Sequence, residues 1–140
     1  GGGGGFVCVR ELVLPGSAQC EQLEWCGRHL CLAHRTEYVI ISARSGAVRE
    51  LFSFAPDFGS PLLCRLPLGE LLVVQPPPRA GERQLGVFVD SQGRVTRRSA
   101  VSWRSPPLVC GYHGQLLLTL LPKSLEVHHL HRESPPQTLP

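Results

Sequence analysis

The stretch "LGVFVDSQGRVTRRS" (85–99) sets a carboxylate, Asp90, beside Ser91, Gly93 and the guanidinium groups of Arg94, Arg97 and Arg98. A carboxylate among cations could act as a general base. The same residues also suit a hairpin, since polar residues and a glycine between two β-rich runs predict a type I turn closed by a left-handed Gly93. "SARSGAV" (42–48) repeats the pattern, with Ser42 in the place of Asp90 and Gly46 in that of Gly93. A hydroxyl can cap a turn but cannot replace a carboxylate base, so Asp90 is read as a turn former.

"CGRHLCLAH" (26–34) offers Cys26, His29, Cys31 and His34, donor types that suit zinc. Strand alternation sends Cys31 and His34 to opposite faces, and the tight turn between ligand pairs is missing. "EVHHLH" (126–131) gathers three histidines; His129 and His131 share a face while His128 points the other way, which reads as titratable residues at a rim. Asp57 and Asp90 are the two aspartates, and no G-x-S-x-G elbow is present, so a Ser-His-Asp triad has little to draw on. No phosphate-binding G-x-x-x-x-G-K-[ST] loop occurs, and the leading pentaglycine lacks the lysine. A hydrolase using His113 or the histidines at 128–131 is the enzymatic rival.

Arg94, Arg97, Arg98 and Arg104 make a basic patch near Trp103, fit for an acidic protein or phospholipid headgroups. The expected partner contacts are Arg79, Arg83, Arg97, Arg98 and Trp103. No catalytic residue, metal ligand or cofactor site is assigned.

These residues need elements to position them. A chain of 140 residues is about one domain. Its net charge is +3 with 18% charged residues, and Lys123 is the one lysine; the cations are too few and too dispersed for nucleic-acid binding. The longest apolar run, "LLLTLL" (116–121), ends at Pro122, far short of the roughly 18 residues a membrane span needs. No secretory signal is expected in "GGGGGFVCVREL", and six cysteines beside a sizeable apolar core are read as reduced, buried thiols of an intracellular chain. Residues 1–5 are read as a Gly-rich linker or truncated start.

Short apolar runs recur at strand length, among them "FVCVRELV" (6–13), "HLCLAH" (29–34), "EYVIIS" (37–42), "ELLVVQ" (70–75), "LGVFVD" (85–90), "RVTRRS" (94–99) and "QLLLTL" (115–120). With 13 prolines and 15 glycines cutting the chain, long helices are excluded and the fold is all-β. Residues 20–52, 61–75 together with 85–99, and 107–140 follow one four-strand plan, with second strands starting at Leu30, Leu71 and Leu116, spaced by 41 and 45 residues. Repeats of about 40 to 45 residues with four strands are the signature of propeller blades. Second strands covered on both faces should be continuously apolar, as "LCLA", "LLVV" and "LLLTLL" are; fourth strands at the rim should be polar, as "RVTRR" is. A β-sandwich is the alternative. Three blades do not close a ring, so a partial propeller is expected, with "FVCVRELVLP" (6–15) the outer strand of a preceding blade.

The succession "HLCLAHRTEYVIISARSGAVRELFSF", "PLLCRLPLGELLVVQ", "LGVFVDSQGRVTRRSAVSW" and "LLLTLLPKSLEVHHL" resembles the citron homology (CNH) domain. The likeness is to the form found in the tethering-subunit family of the CORVET and HOPS complexes, which includes the transforming growth factor beta receptor-associated protein. It implies that residues 6–140 are the C-terminal part of a seven-bladed CNH propeller, a non-enzymatic interaction module. The partners it implies are other tethering subunits, Rab-type small GTPases and, in the receptor-associated branch, receptors or Smad proteins. The implied location is peripheral, on endosomal or lysosomal membranes. The insertion "PPPRAGER" (76–83) departs from the pattern. A CNH regulatory module of a kinase or Rho exchange factor is the alternative.

Overall fold

The computed structural model describes residues 4–14, 20–53, 61–75, 79, 81–130 and the backbone of 137–139. Among the described residues, twelve strands form three antiparallel sheets, each joined in chain order. The first sheet holds β1 (Cys20–Cys26), β2 (His29–His34), β3 (Glu37–Ser42) and β4 (Val48–Ser53). The second holds β5 (Leu63–Arg65), β6 (Leu71–Gln75), β7 (Gln84–Val89) and β8 (Val101–Trp103). The third holds β9 (Val109–His113), β10 (Leu116–Leu120), β11 (Leu125–His129) and β12 (Gln137–Leu139). Packing brings β1 against β5 and β5 against β9, so the first strands of successive sheets lie side by side. Three sequential meanders arranged in this way are blades of a propeller, and the sandwich is set aside.

Parity decides which side chains seal each joint. Leu71 and Val73 of β6 face the first blade and pack with Cys26, Cys31, Ala33, Tyr38 and Ile40. Leu72 and Val74, on the opposite face, pack with Phe88, Trp103, Leu117 and Leu121 in the second joint. Residues Leu71 to Val74 are therefore all buried, which is why this strand reads as an unbroken apolar run. In β10 only Leu117 and Thr119 are buried, because one face alone meets a neighbouring sheet.

Polar side chains cross the first joint where ladders cannot. The Tyr38 hydroxyl donates to the Val74 carbonyl at 2.7 Å and accepts from the Leu62 amide at 3.0 Å. Gln22 donates to the Pro61 carbonyl at 3.1 Å and accepts from the Leu63 amide at 2.9 Å. Each buried backbone group so satisfied would otherwise cost roughly 1–3 kcal/mol.

Two strand expectations are corrected. "RVTRRS" is not the fourth strand of its blade: Val95 makes one bridge to Val89, the Thr96 amide donates to the Phe88 carbonyl at 2.9 Å, and the ladder then breaks. Continued register would set Arg98 opposite Gly86, but Val101 stands there, so three residues are extruded before β8 begins. The Thr96 and Arg97 side chains bind the Glu70 carboxylate where the ladder breaks, and the strand that resumes is largely buried rather than polar. "FVCVRELV" forms no strand; Arg10 donates to the carbonyls of Ala43 and Arg44, and Leu12 packs on Leu32, Val39 and Ile41.

Candidate functional site

Asp90 is a turn former. Its Oδ1 accepts the amides of Gln92 at 2.8 Å and Arg94 at 3.0 Å, while its carbonyl accepts the Gly93 amide at 3.0 Å. Gly93 has φ +79°, and a Cβ there would come within 2.9 Å of Leu51 in the neighbouring blade. Ser42 caps its own turn in the same way, its Oγ accepting the Ser45 amide at 3.2 Å, with Gly46 at φ +77°.

The turns cluster at one end. The β1–β2 turn at Gly27 touches the β5–β6 turn at Gly69, and Arg49 of the first blade donates to Ser91 and Gln92 in the β7–β8 turn. The β9–β10 turn lies at this end beside Leu130, whose amide donates to the Gln115 carbonyl at 3.0 Å and whose carbonyl accepts from Arg97 of the second blade. A depression lined by His29, Ile40, Ser42, Ala47, Val48, Arg49 and Gln92 lies between the first two blades.

Arg97 is the centre of this end. Its Nε and NH2 donate to the two Glu70 carboxylate oxygens at 2.8 and 2.9 Å, and its NH1 donates across the second joint to the Leu130 carbonyl at 2.8 Å. The guanidinium also stacks 5.0 Å over the Phe88 ring. Thr96 Oγ1 donates to the same carboxylate. Burial pushes the Glu70 carboxyl up, but the bonds from Arg97 and Thr96 and the guanidinium charge outweigh it and hold it below the usual carboxylate range.

The other expected contacts divide between both ends and the core. Arg98 is exposed one residue beyond the clamp. Arg79 and Arg83 are exposed in the β6–β7 connection at the opposite end, where Arg83 donates to the Ser102 carbonyl at 3.1 Å. Residues 76–78 and 80 of that insertion lie outside the described residues. Trp103 is corrected: its side chain is fully buried between the second and third blades, packed over Gly86, and offers no surface. Glu70, Tyr38 and Gln22, which hold the joints, were missed; the turn signal "PLGE" (67–70) was the one available pointer to Glu70.

The donor clusters are separated by the sheets. Cys31 faces the second blade while His34 lies on the other face of β2, buried with Nδ1 unpartnered. Among the described residues no group of three or more His, Cys, Asp or Glu is placed to hold a metal ion. The six cysteines are free thiols. Burial pushes Cys26 and Cys110 up to about 11 and Cys31 and Cys64 up to about 12, so none of these four is an activated nucleophile. In the third blade His128 Nε2 lies 3.8 Å from the buried Glu126 carboxylate, and Cys110 Sγ lies 3.7 Å from Thr119 Oγ1. Burial lowers the His128 pKa against the pull of Glu126, leaving a neutral imidazole. His131 lies outside the described residues.

The chain matches no family model. It is 33% identical over 134 residues to vacuolar sorting protein 39 of Arabidopsis thaliana, which covers 96% of this chain and 12% of that protein. It is 28% identical over 132 residues to transforming growth factor-beta receptor-associated protein 1 of Bos taurus, covering 94% of this chain and 14% of the relative. The Vam6/Vps39-like protein of Homo sapiens matches at 23% over 76% of this chain. The chain thus spans a small part of the length of these relatives. Among solved structures, the AfRom2 CNH domain superposes with a TM-score of 0.59 at 16% identity, covering 87% of this chain and 40% of that one, which shows the fold. The chain is a partial CNH-type β-propeller whose sequence relatives are the Vps39 and transforming growth factor-beta receptor-associated protein 1 group.

Proposed function

We propose that this chain is part of a non-enzymatic protein-interaction module in a vesicle-tethering factor of endosomal protein transport. The observation that carries the reading is the 33% identity to vacuolar sorting protein 39 across 96% of the chain. Rigid blades that hold variable turns at a common end suit recognition of large partners. The proposed partners are other subunits of a CORVET- or HOPS-type complex and Rab-type GTPases, with peripheral placement on endosomal or lysosomal membranes through that complex. Adaptor contacts with receptors or Smad proteins are a finer reading, supported by the relatives whose name associates them with the transforming growth factor-beta receptor. A pull-down with the full-length protein against endosomal Rab GTPases and tethering subunits tests this. Capture of a subunit or a GTPase above a control with scrambled turn sequences is expected; no capture of either overturns the proposal.

A further inference from the structure

Leu68 is 104% exposed at the tip of the β5–β6 turn and sits at φ +62°, a backbone conformation that leucine adopts at a cost and that glycine or asparagine would adopt more readily. Nothing in the blade uses its isobutyl group, so the residue weakens its own turn while presenting an apolar tip to the outside. Around it, the same end carries exposed arginines on the other turns: Arg28 beside Gly27, Arg44 in the β3–β4 turn and Arg94 after Gly93. None of these three pairs with a carboxylate of a described residue. Of the local carboxylates, Glu70 is engaged on Arg97 and Asp90 on its own turn amides, Glu24 and Glu50 lie back along β1 and β4, and the exposed Glu11 stands next to the exposed Arg10, which donates to the β3–β4 turn. Trp25, 44% exposed and two residues before Gly27, adds an amphipathic ring near this end.

The arrangement is an apolar tip among uncompensated cations spread across the turns of two blades. A bound acidic peptide would be expected to lie in a groove; the depression at this end is lined by neither Leu68 nor Arg28 nor Arg94. A broad negative surface with an apolar interior matches the layout better, since arginines can meet headgroup phosphates while a single leucine enters the acyl boundary. We propose that the turn end bearing Leu68, Arg28, Arg44 and Arg94 docks on an anionic lipid bilayer. This stands on the surface itself and does not depend on the tethering assignment.

The test is co-flotation of the full-length protein with vesicles of phosphatidylcholine alone or with phosphatidylserine added. Binding to the anionic vesicles only, weakened by salt, is expected. Leu68→Asn, which suits the left-handed turn and so leaves the blade folded, is expected to lower binding by about tenfold. Each of Arg28→Gln, Arg44→Gln and Arg94→Gln is expected to lower it by about fivefold. Arg79→Gln with Arg83→Gln, at the opposite end, is expected to leave binding unchanged. Equal binding to neutral vesicles, insensitivity to the Leu68 and arginine changes, or loss through the Arg79 and Arg83 pair instead would overturn the proposal. So would failure to bind anionic vesicles, including the case in which the same arginines are needed only for an acidic protein partner. Because this readout uses lipid alone, it is independent of the pull-down result.

Discussion

Arg97 and Glu70 are joined by two parallel hydrogen bonds, Nε to Oε2 at 2.8 Å and NH2 to Oε1 at 2.9 Å, while the third arm of the guanidinium holds the Leu130 carbonyl of the next blade at 2.8 Å. One side chain thereby fixes an irregular loop to its own blade and that blade to its neighbour. Only a planar fork can serve all three acceptors at once.

Arg97→Lys should therefore behave as a disruptive change. A point ammonium keeps the charge but loses the paired geometry and the stacking on Phe88. The expected loss is about 1–2 kcal/mol, discounted because Arg97 is 34% exposed. Urea unfolding of the two proteins measures it. An unchanged midpoint would show that the clamp adds nothing to the joint.

Acidification should weaken the same clamp. The folded carboxyl of Glu70 titrates below its ordinary value of 4.5, so its contribution is fully present above that pH and is lost as pH falls through the lower, folded value. The wild-type protein is expected to lose stability more steeply below about pH 4.5 than Glu70→Gln, which lacks the ionisable group. Parallel pH profiles of the two proteins would refute the assignment.

His128 acts in a higher window. Its pKa lies below the ordinary 6.5 in the folded chain, so the unfolded chain takes up the proton first as pH falls. Stability is expected to decline from about pH 6.5 downward and to level off once the folded imidazole also protonates. His128→Gln should flatten this part of the curve while leaving the Glu70 decline in place, as read by thermal unfolding across pH.

Gly86→Ala tests the packing of the second blade. The added Cβ would lie 2.6 Å from Trp103 Cη2 and 2.9 Å from Leu72 Cδ1, both in a sealed joint. Overpacking of this kind costs about 1–3 kcal/mol. Trp103→Phe removes the colliding atom, so the double variant should recover part of the loss relative to Trp103→Phe alone; strict additivity of the two losses would rule this contact out as the cause.

Much of this architecture was legible because propeller blades bury their second strands on both faces. "LLVV" is apolar throughout since Leu71 and Val73 face one neighbour and Leu72 and Val74 the other. The Asp90 and Ser42 turns were readable for a local reason: their hydrogen bonds are made to amides within a few residues. Arg97 was read as a partner contact at a free rim, because its partners at positions 70 and 130 are distant in sequence and no local pattern announces them. Trp103 failed in the same way, since the three extruded residues shift the parity that would have marked it as core. Leu68 drew no notice, as an exposed leucine is ordinary until its backbone angle is known.

Neither joint is crossed by a backbone ladder among the described residues; Tyr38, Gln22, Arg49 and Arg97 span them with side chains alone. Stretched from its ends, such a chain would yield at the joints before its sheets, shedding one plate at a time. Each detached plate that then unravels frees about 41 residues, the spacing from Leu30 to Leu71, or roughly 140 Å of extended chain. A linkage between two moving bodies built from such plates would lengthen in discrete steps, dissipating load while the remaining plates kept their shape.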